Sequence, residues 1–261
     1  MRGPQSADAY HWAGAERFAL WRGEAAAGLR LGAPLAGAQL AQIALMATDT
    51  VMLAWLGPTG LAAGALGMHV FSLFIFAGTG IAVAVAPLAA QAVGARDPRR
   101  ARRALRQGLW ATLAASAPFL VLLWNAEPML LALGQAPEVA APAALYLRAL
   151  MWSLVPGLWF VAMRSFIAAY GSARAVFVIM AAAVPLNAGL VYVTVFGKLG
   201  LPALGVVGAG LSTSAVNVTM AAALAVYLLA GRRFRRLHPF GRWWRPDWAM
   251  FADVFRGGAP I

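Results

Sequence analysis

An all-α membrane protein is the fold class this sequence predicts: a bundle of six transmembrane helices plus the start of a seventh. Three observations predict it. Of the 261 residues, 62% are hydrophobic and 11% charged, at a mean hydropathy of +0.71, which is more apolar surface than one soluble core of this length hides. The apolar residues form runs long enough to cross a hydrocarbon layer, which takes about 20 residues of helix. The basic residues, all arginine except Lys198, gather in short segments between those runs. A soluble enzyme is thereby excluded, and the formal charge of +12 reads as membrane topology and not as a nucleic-acid partner.

Each span follows from its boundaries. Between Leu31 and Arg96 the only charged side chain is Asp49, and Gly57-Pro58-Thr59-Gly60 divides this stretch into spans one (31–56) and two (61–94). Span three (109–124) continues from the uncharged end of a basic segment. Span four (142–170) carries Arg148 and Arg164, and span five is 176–196. After the turn-rich 197–202, the uninterrupted run 203–230 is span six. Pro34, Pro87, Pro118, Pro156 and Pro185 place one proline in each of the first five spans and favour a bend at each place.

Arginine bias sets the orientation. Residues 96–106 and 232–245 are Arg-rich and are expected in the cytoplasm, whereas the stretch holding Glu127 and Glu138 carries no basic residue and faces outward. Six crossings then leave both ends on the cytoplasmic side of the membrane. The expected organisation is a cytoplasmic tail (1–25), a six-helix lobe (26–231), a basic linker (232–247) and the truncated start of a second lobe (248–261). That last assignment rests on Leu29-Arg30-Leu31-Gly32-Ala33-Pro34-Leu35, whose pattern returns as Phe255-Arg256-Gly257-Gly258-Ala259-Pro260-Ile261. Internal repeats are a common way of building transporters, with the site at the repeat interface.

Of the nine acidic residues, Asp49 alone lies well inside an apolar span. A carboxylate at the centre of a membrane helix costs about 2.5–3.5 kcal/mol on insertion scales, so it is expected to face a cavity or a partner. Such a group can hold H⁺ or a metal cation. The competing reading is a helix-end cap or a partner for neighbouring backbone. Gln42 lies two helical turns before Asp49 and shares its face. Asn187 sits mid-span beside Pro185, and Ser212, Thr213, Ser214 and Asn217 form a polar group in span six. Cavity lining and plain interhelical hydrogen bonding are both open for these. Arg164 and Arg148 are expected to snorkel to the two interfaces. Trp110, Trp124, Trp152 and Trp159 read mostly as interface anchors. With no cysteine, three scattered histidines and no nucleotide-binding or protease signature, no enzyme activity and no cofactor is expected, and transport would draw on an ion gradient.

Taken in order, Leu31-Gly32-Ala33-Pro34, Ala47-Thr48-Asp49-Thr50-Val51-Met52, Gly94-Ala95-Arg96-Asp97, Pro185-Leu186-Asn187, Gly197-Lys198-Leu199-Gly200 and Gly205 through Gly208 to Thr213 resemble the multidrug and toxic compound extrusion (MATE) family, its NorM-like branch in particular, over residues 25–261. The resemblance implies one lobe of a twelve-helix transporter with two six-helix lobes around a central cavity, exporting cationic amphipathic drugs in exchange for Na⁺ or H⁺. It makes Asp49 the cation-coupling residue and, under Na⁺ coupling, the metal ligand. Gln42, Asn187 and Thr213 become cavity-lining residues, and Pro34 a point of helix bending. Two departures accompany it. Val191 stands where a related branch has a second carboxylate, and the second lobe is absent, so the expected partners are the bilayer, a small cationic organic substrate, and a C-terminal lobe or a second copy. The rival expectations are a lipid-linked saccharide flippase of the same superfamily and a non-transporting membrane subunit or fragment.

Overall fold

The computed structural model of the chain describes residues 7–200, 202–231, 234, 250 and 251, with the side chains of 7–20, 22–27, 29–31 and 35 outside that description. The expected linker (232–247) and second-lobe start (248–261) therefore lie outside the described residues, apart from Phe234, Met250 and Phe251.

Nine α-helices are present among the described residues and no strand: α1 (Ala7–Ala54), α2 (Pro58–Val83), α3 (Val85–Gly94), α4 (Pro98–Trp124), α5 (Ala126–Ala132), α6 (Pro137–Leu150), α7 (Leu154–Ala169), α8 (Arg174–Phe196) and α9 (Gly205–Ala230). Five helical units have the length and apolarity of membrane spans, namely 58–94, 98–124, 137–169, 174–196 and 205–230. The sixth expected span falls on the C-terminal half of α1, which Gln39, Gln42 and Asp49 dilute below that apolarity and which packs along α8. The chain is thus an all-α, multi-pass membrane protein with the six-helix lobe that the sequence predicts.

Boundaries differ from expectation where local chemistry intervenes. The α1 backbone is already helical from Ala7, through most of the segment read as a tail. Span three starts eleven residues early, because Pro98 opens α4 at its first turn and the Asp97 carboxylate accepts from the Arg99 and Arg100 amides, each at 2.9 Å. The arginines read as a loop thus form the first turns of a helix. Two prolines become breaks. The ring of Pro87 obstructs the carbonyl four residues back, which is Val83, the last residue of α2; the ring of Pro156 does the same at Trp152, inside the 3₁₀ turn Met151–Ser153 that separates α6 from α7. Pro34, Pro118 and Pro185 stay inside continuous helices.

α9 is the hub, packed against α6, α7 and α8, with α1 laid on α8 and α2 on α6 and α7. Glycines set how near the helices come. A Cβ on Gly208 would stand 2.7 Å from the Thr194 backbone carbonyl of α8, and one on Gly210 would meet the Tyr146 carbonyl oxygen of α6 at 2.8 Å. Small residues at such crossings let backbones pack closely where lipid supplies no hydrophobic drive between helices.

Candidate functional site

One helix brings the acid and two others its partners. On α1, Thr48 and Thr50 turn their hydroxyls onto the Ala44 and Met46 carbonyls of their own helix, at 2.8 and 2.9 Å. Asp49, between them, points into the bundle and is only 5% exposed. Its Oδ1 accepts from Asn187 Nδ2 of α8 at 2.6 Å, and its Oδ2 from Thr213 Oγ1 of α9 at 3.1 Å. The Thr213 hydroxyl also lies 3.1 Å from the Ala209 carbonyl, so one proton is shared between two acceptors. Asn187 is itself buried, and its Oδ1 has no hydrogen-bond partner among the described residues. An orphaned acceptor beside a buried carboxylate is an oxygen-rich, donor-poor arrangement, which suits a proton or a hard cation.

Consecutive residues of α9 separate because each step along a helix turns about 100°. The Ser212 hydroxyl meets that of Thr194 on α8 at 2.7 Å, Thr213 turns to Asp49, and Ser214 donates to the Ala149 carbonyl of α6 at 2.8 Å. Of the polar group expected in span six, only Thr213 reaches the acid; Asn217, one turn on, donates to the Thr213 carbonyl at 2.9 Å. Val191, one turn after Asn187, is fully buried among Leu53, Tyr146 and Leu150. Asp49 is therefore the one carboxylate of this cluster, and no group of three or more His, Cys, Asp or Glu gathers among the described residues.

The acid opens onto a cavity of about 390 Å³ between α1, α2, α6, α7, α8 and α9, whose exposed Gln39, Met46 and Phe76 lie at its rim. Gln42, Asn187 and Thr213 line it with Asp49; Gln42 does so without bonding to the carboxylate. Pro34, fifteen residues before Asp49 on α1, is partly exposed and not among the lining residues. Sequence reasoning missed the α6–α7 wall: Tyr146, Leu150, Ser153, Gly157, Val161 and Arg164 all line the cavity. Their spacing of three or four residues is a helical stripe, and that periodicity was the available signal. Arg164, expected to snorkel to the interface, lines the cavity. Arg148 does sit at a surface, with its Nε donating to the Trp124 carbonyl at 3.0 Å and Glu127 3.9 Å away. Trp124 and Trp152 are more than half exposed, as anchors in lipid would be, whereas Trp159 turns inward to donate to the Leu109 carbonyl at 3.2 Å.

Comparison with known proteins agrees with this architecture. The model of the MatE family matches residues 34–193. A Mesorhizobium japonicum protein named "Probable multidrug resistance protein NorM" is 41% identical over 93% of this chain and 52% of its own length. A Bradyrhizobium diazoefficiens protein of the same name is 43% identical over 89% of this chain and 50% of its own. Among solved structures, one described as an outward-facing multidrug resistance MATE family transporter superposes with a TM-score of 0.75 at 23% identity, over 89% of this chain and 51% of that one. Another, of a MATE protein in a straight conformation, gives 0.77 at 24% identity, over 89% and 51%. The chain spans about half the length of the relatives it matches.

Proposed function

This chain belongs to the MatE family, and from that premise we propose that it supplies the cation-coupling lobe of an antiporter that exports cationic amphipathic drugs or other xenobiotics in exchange for Na⁺ or H⁺. The observation that carries the proposal is the buried Asp49 carboxylate, held by Asn187 and Thr213 and opening onto the cavity. Coupling requires two ligands that favour different conformations, each shifting the equilibrium only by its differential affinity. An anionic Asp49 attracts the positive charge of a substrate in the cavity; loading Asp49 with a proton or Na⁺ removes that attraction. Under Na⁺ coupling, Asp49, Asn187 Oδ1, Thr213 Oγ1 and the Ala209 carbonyl would hold the ion, a neutral-oxygen set around one carboxylate. Gln42 lines the path toward the acid, and bending of α1 at Pro34 transmits the change.

The full activity requires a C-terminal lobe or a second copy of the chain. We place the protein in the bacterial inner membrane with its N-terminus cytoplasmic, a reading supported by the arginines of residues 96–106. A flippase for lipid-linked saccharides fits less well, because Arg164 is the one arginine lining the cavity among the described residues.

Ethidium efflux from cells that produce the chain together with a relative's second lobe tests the proposal. Asp49→Asn is expected to abolish efflux at unchanged membrane abundance. Efflux that persists in the variant removes Asp49 from the coupling role, and absence of efflux by the native sequence favours a non-transporting subunit.

A further inference from the structure

We infer that Arg164 is an anion-recognising end of the cavity, receiving the carboxylate, sulfonate or phosphate of an amphiphile whose apolar body lies along the α6–α7 wall. The inference deepens the reading of the cavity as a substrate site and rests on it. Arg164 is half-buried and lines the cavity, yet it has no hydrogen-bond or ion-pair partner among the described residues. Arg148 of α6, at the surface and outside the cavity lining, is by contrast satisfied by a carbonyl and a carboxylate. A guanidinium stays ionised and presents a planar fork of donors that matches a carboxylate or phosphate two bonds at a time. Left without a partner in a largely apolar cavity, it recruits an anion from whatever enters.

Among the described residues Asp49 is the only acidic one lining the cavity, and it does not serve as that anion. It is already held by Asn187 and Thr213, and helix rise puts it far away. Asn217 lies one turn of α9 beyond Thr213, about 6 Å. Gly157 faces Asn217, its Cβ position 3.5 Å from Asn217 Oδ1, and Arg164 is two turns of α7 further, about 10 Å. The backbone of Arg164 thus stands on the order of 15 Å along the bundle axis from that of Thr213, the residue that holds Asp49. The cavity is polarised along its length, with a negative group at one end, a positive one at the other, and Val161, Ile75 and Met220 among its apolar lining.

The test uses a matched pair of dyes, tetramethylrhodamine with its free carboxylate and its methyl ester, which share the cationic ring system. Binding to the purified full chain in phosphatidylcholine nanodiscs is followed by fluorescence anisotropy. Arg164→Gln is expected to weaken the free acid by about tenfold or more and to leave the ester within about twofold; Arg164→Lys, keeping the charge, should retain most of the preference. Equal loss for both dyes marks a structural role and overturns the inference, as does no loss for either. If the native chain binds neither dye, the substrate-cavity reading itself fails and this inference with it; binding of the ester without any preference for the acid defeats only the role of Arg164. Exchanging the lipid for phosphatidylglycerol separates the sources of the anion. Weaker binding of the acid by the native chain alone assigns Arg164 to a lipid headgroup, and unchanged binding assigns it to a soluble ligand.

Discussion

Adding one methyl group at Gly208 should open the acid cluster without touching any of its members. An alanine Cβ there would lie 2.7 Å from the Thr194 carbonyl carbon and oxygen and 3.0 Å from the Val195 amide nitrogen. These are backbone atoms, which cannot rotate away, so α9 must retreat from α8 by about 1 Å to regain ordinary contact. Asp49 and Asn187 move as one, because α1 packs mainly on α8. Thr213, five residues beyond Gly208, moves with α9. Its 3.1 Å bond to Asp49 then stretches to about 4 Å, past hydrogen-bonding range, and the hydroxyl falls back on the Ala209 carbonyl. Interhelical hydrogen bonds in membranes average about 0.6 and reach about 1.7 kcal/mol, and an ionised acceptor belongs at the upper end. We therefore expect an Asp49–Thr213 coupling energy of about 1.5 kcal/mol in the native background and near zero beside Gly208→Ala. The assay is equilibrium unfolding in mixed micelles of Asp49→Ala, Thr213→Val and the double variant, in each background. Coupling that survives Gly208→Ala undiminished would refute the argument that this glycine sets the spacing of the cluster.

Two further predictions follow from the periphery. Asp97 caps α4, and the Arg100 amide, ahead of the Arg99 amide and the nearby Arg103 and Arg100 charges, holds its carboxyl below the ordinary value of 3.8. Such a lowered group stabilises the fold above its unfolded value and loses that contribution as pH falls through the folded one. Native chain should therefore melt above Asp97→Asn at neutral pH, with the gap closing below 3.8; a gap independent of pH argues against a charge effect. The Glu127–Arg148 pair, 3.9 Å apart with side chains 45% and 38% exposed, should contribute little, since solvent screens it. Glu127→Gln is expected to change unfolding free energy by less than about 0.5 kcal/mol, and a larger loss would mean that Glu127 has a further partner.

The outline of the fold was legible because its signals are local. Apolar runs, the Gly57–Gly60 turn and the arginine clusters each act within one or two helical turns, and they located the five apolar spans and the half of α1 that carries Asp49. The interruptions were only half legible. A proline announces a missing donor, but whether its helix bends or stops depends on neighbouring packing: Pro87 and Pro156 mark breaks, whereas Pro34, Pro118 and Pro185 lie within unbroken helices. The charges of residues 99–106 concealed the start of α4, whose Asp97-Pro98 opening is a helix signal that the arginine count outweighed.

Sequence by itself determined that Asp49 cannot face lipid, since a carboxylate in hydrocarbon must find a cavity or a partner wherever its helix packs. What answers that demand came only from the tertiary structure: Asn187 and Thr213 are 138 and 164 residues away along the chain. Their meeting depends on glycine crossings that fix how α8 and α9 approach. The same packing sets Arg164 in the wall of the cavity. Helical periodicity says which residues share a face, but the rotation of that face about the bundle axis is set by long-range contacts, which no short stretch of sequence contains.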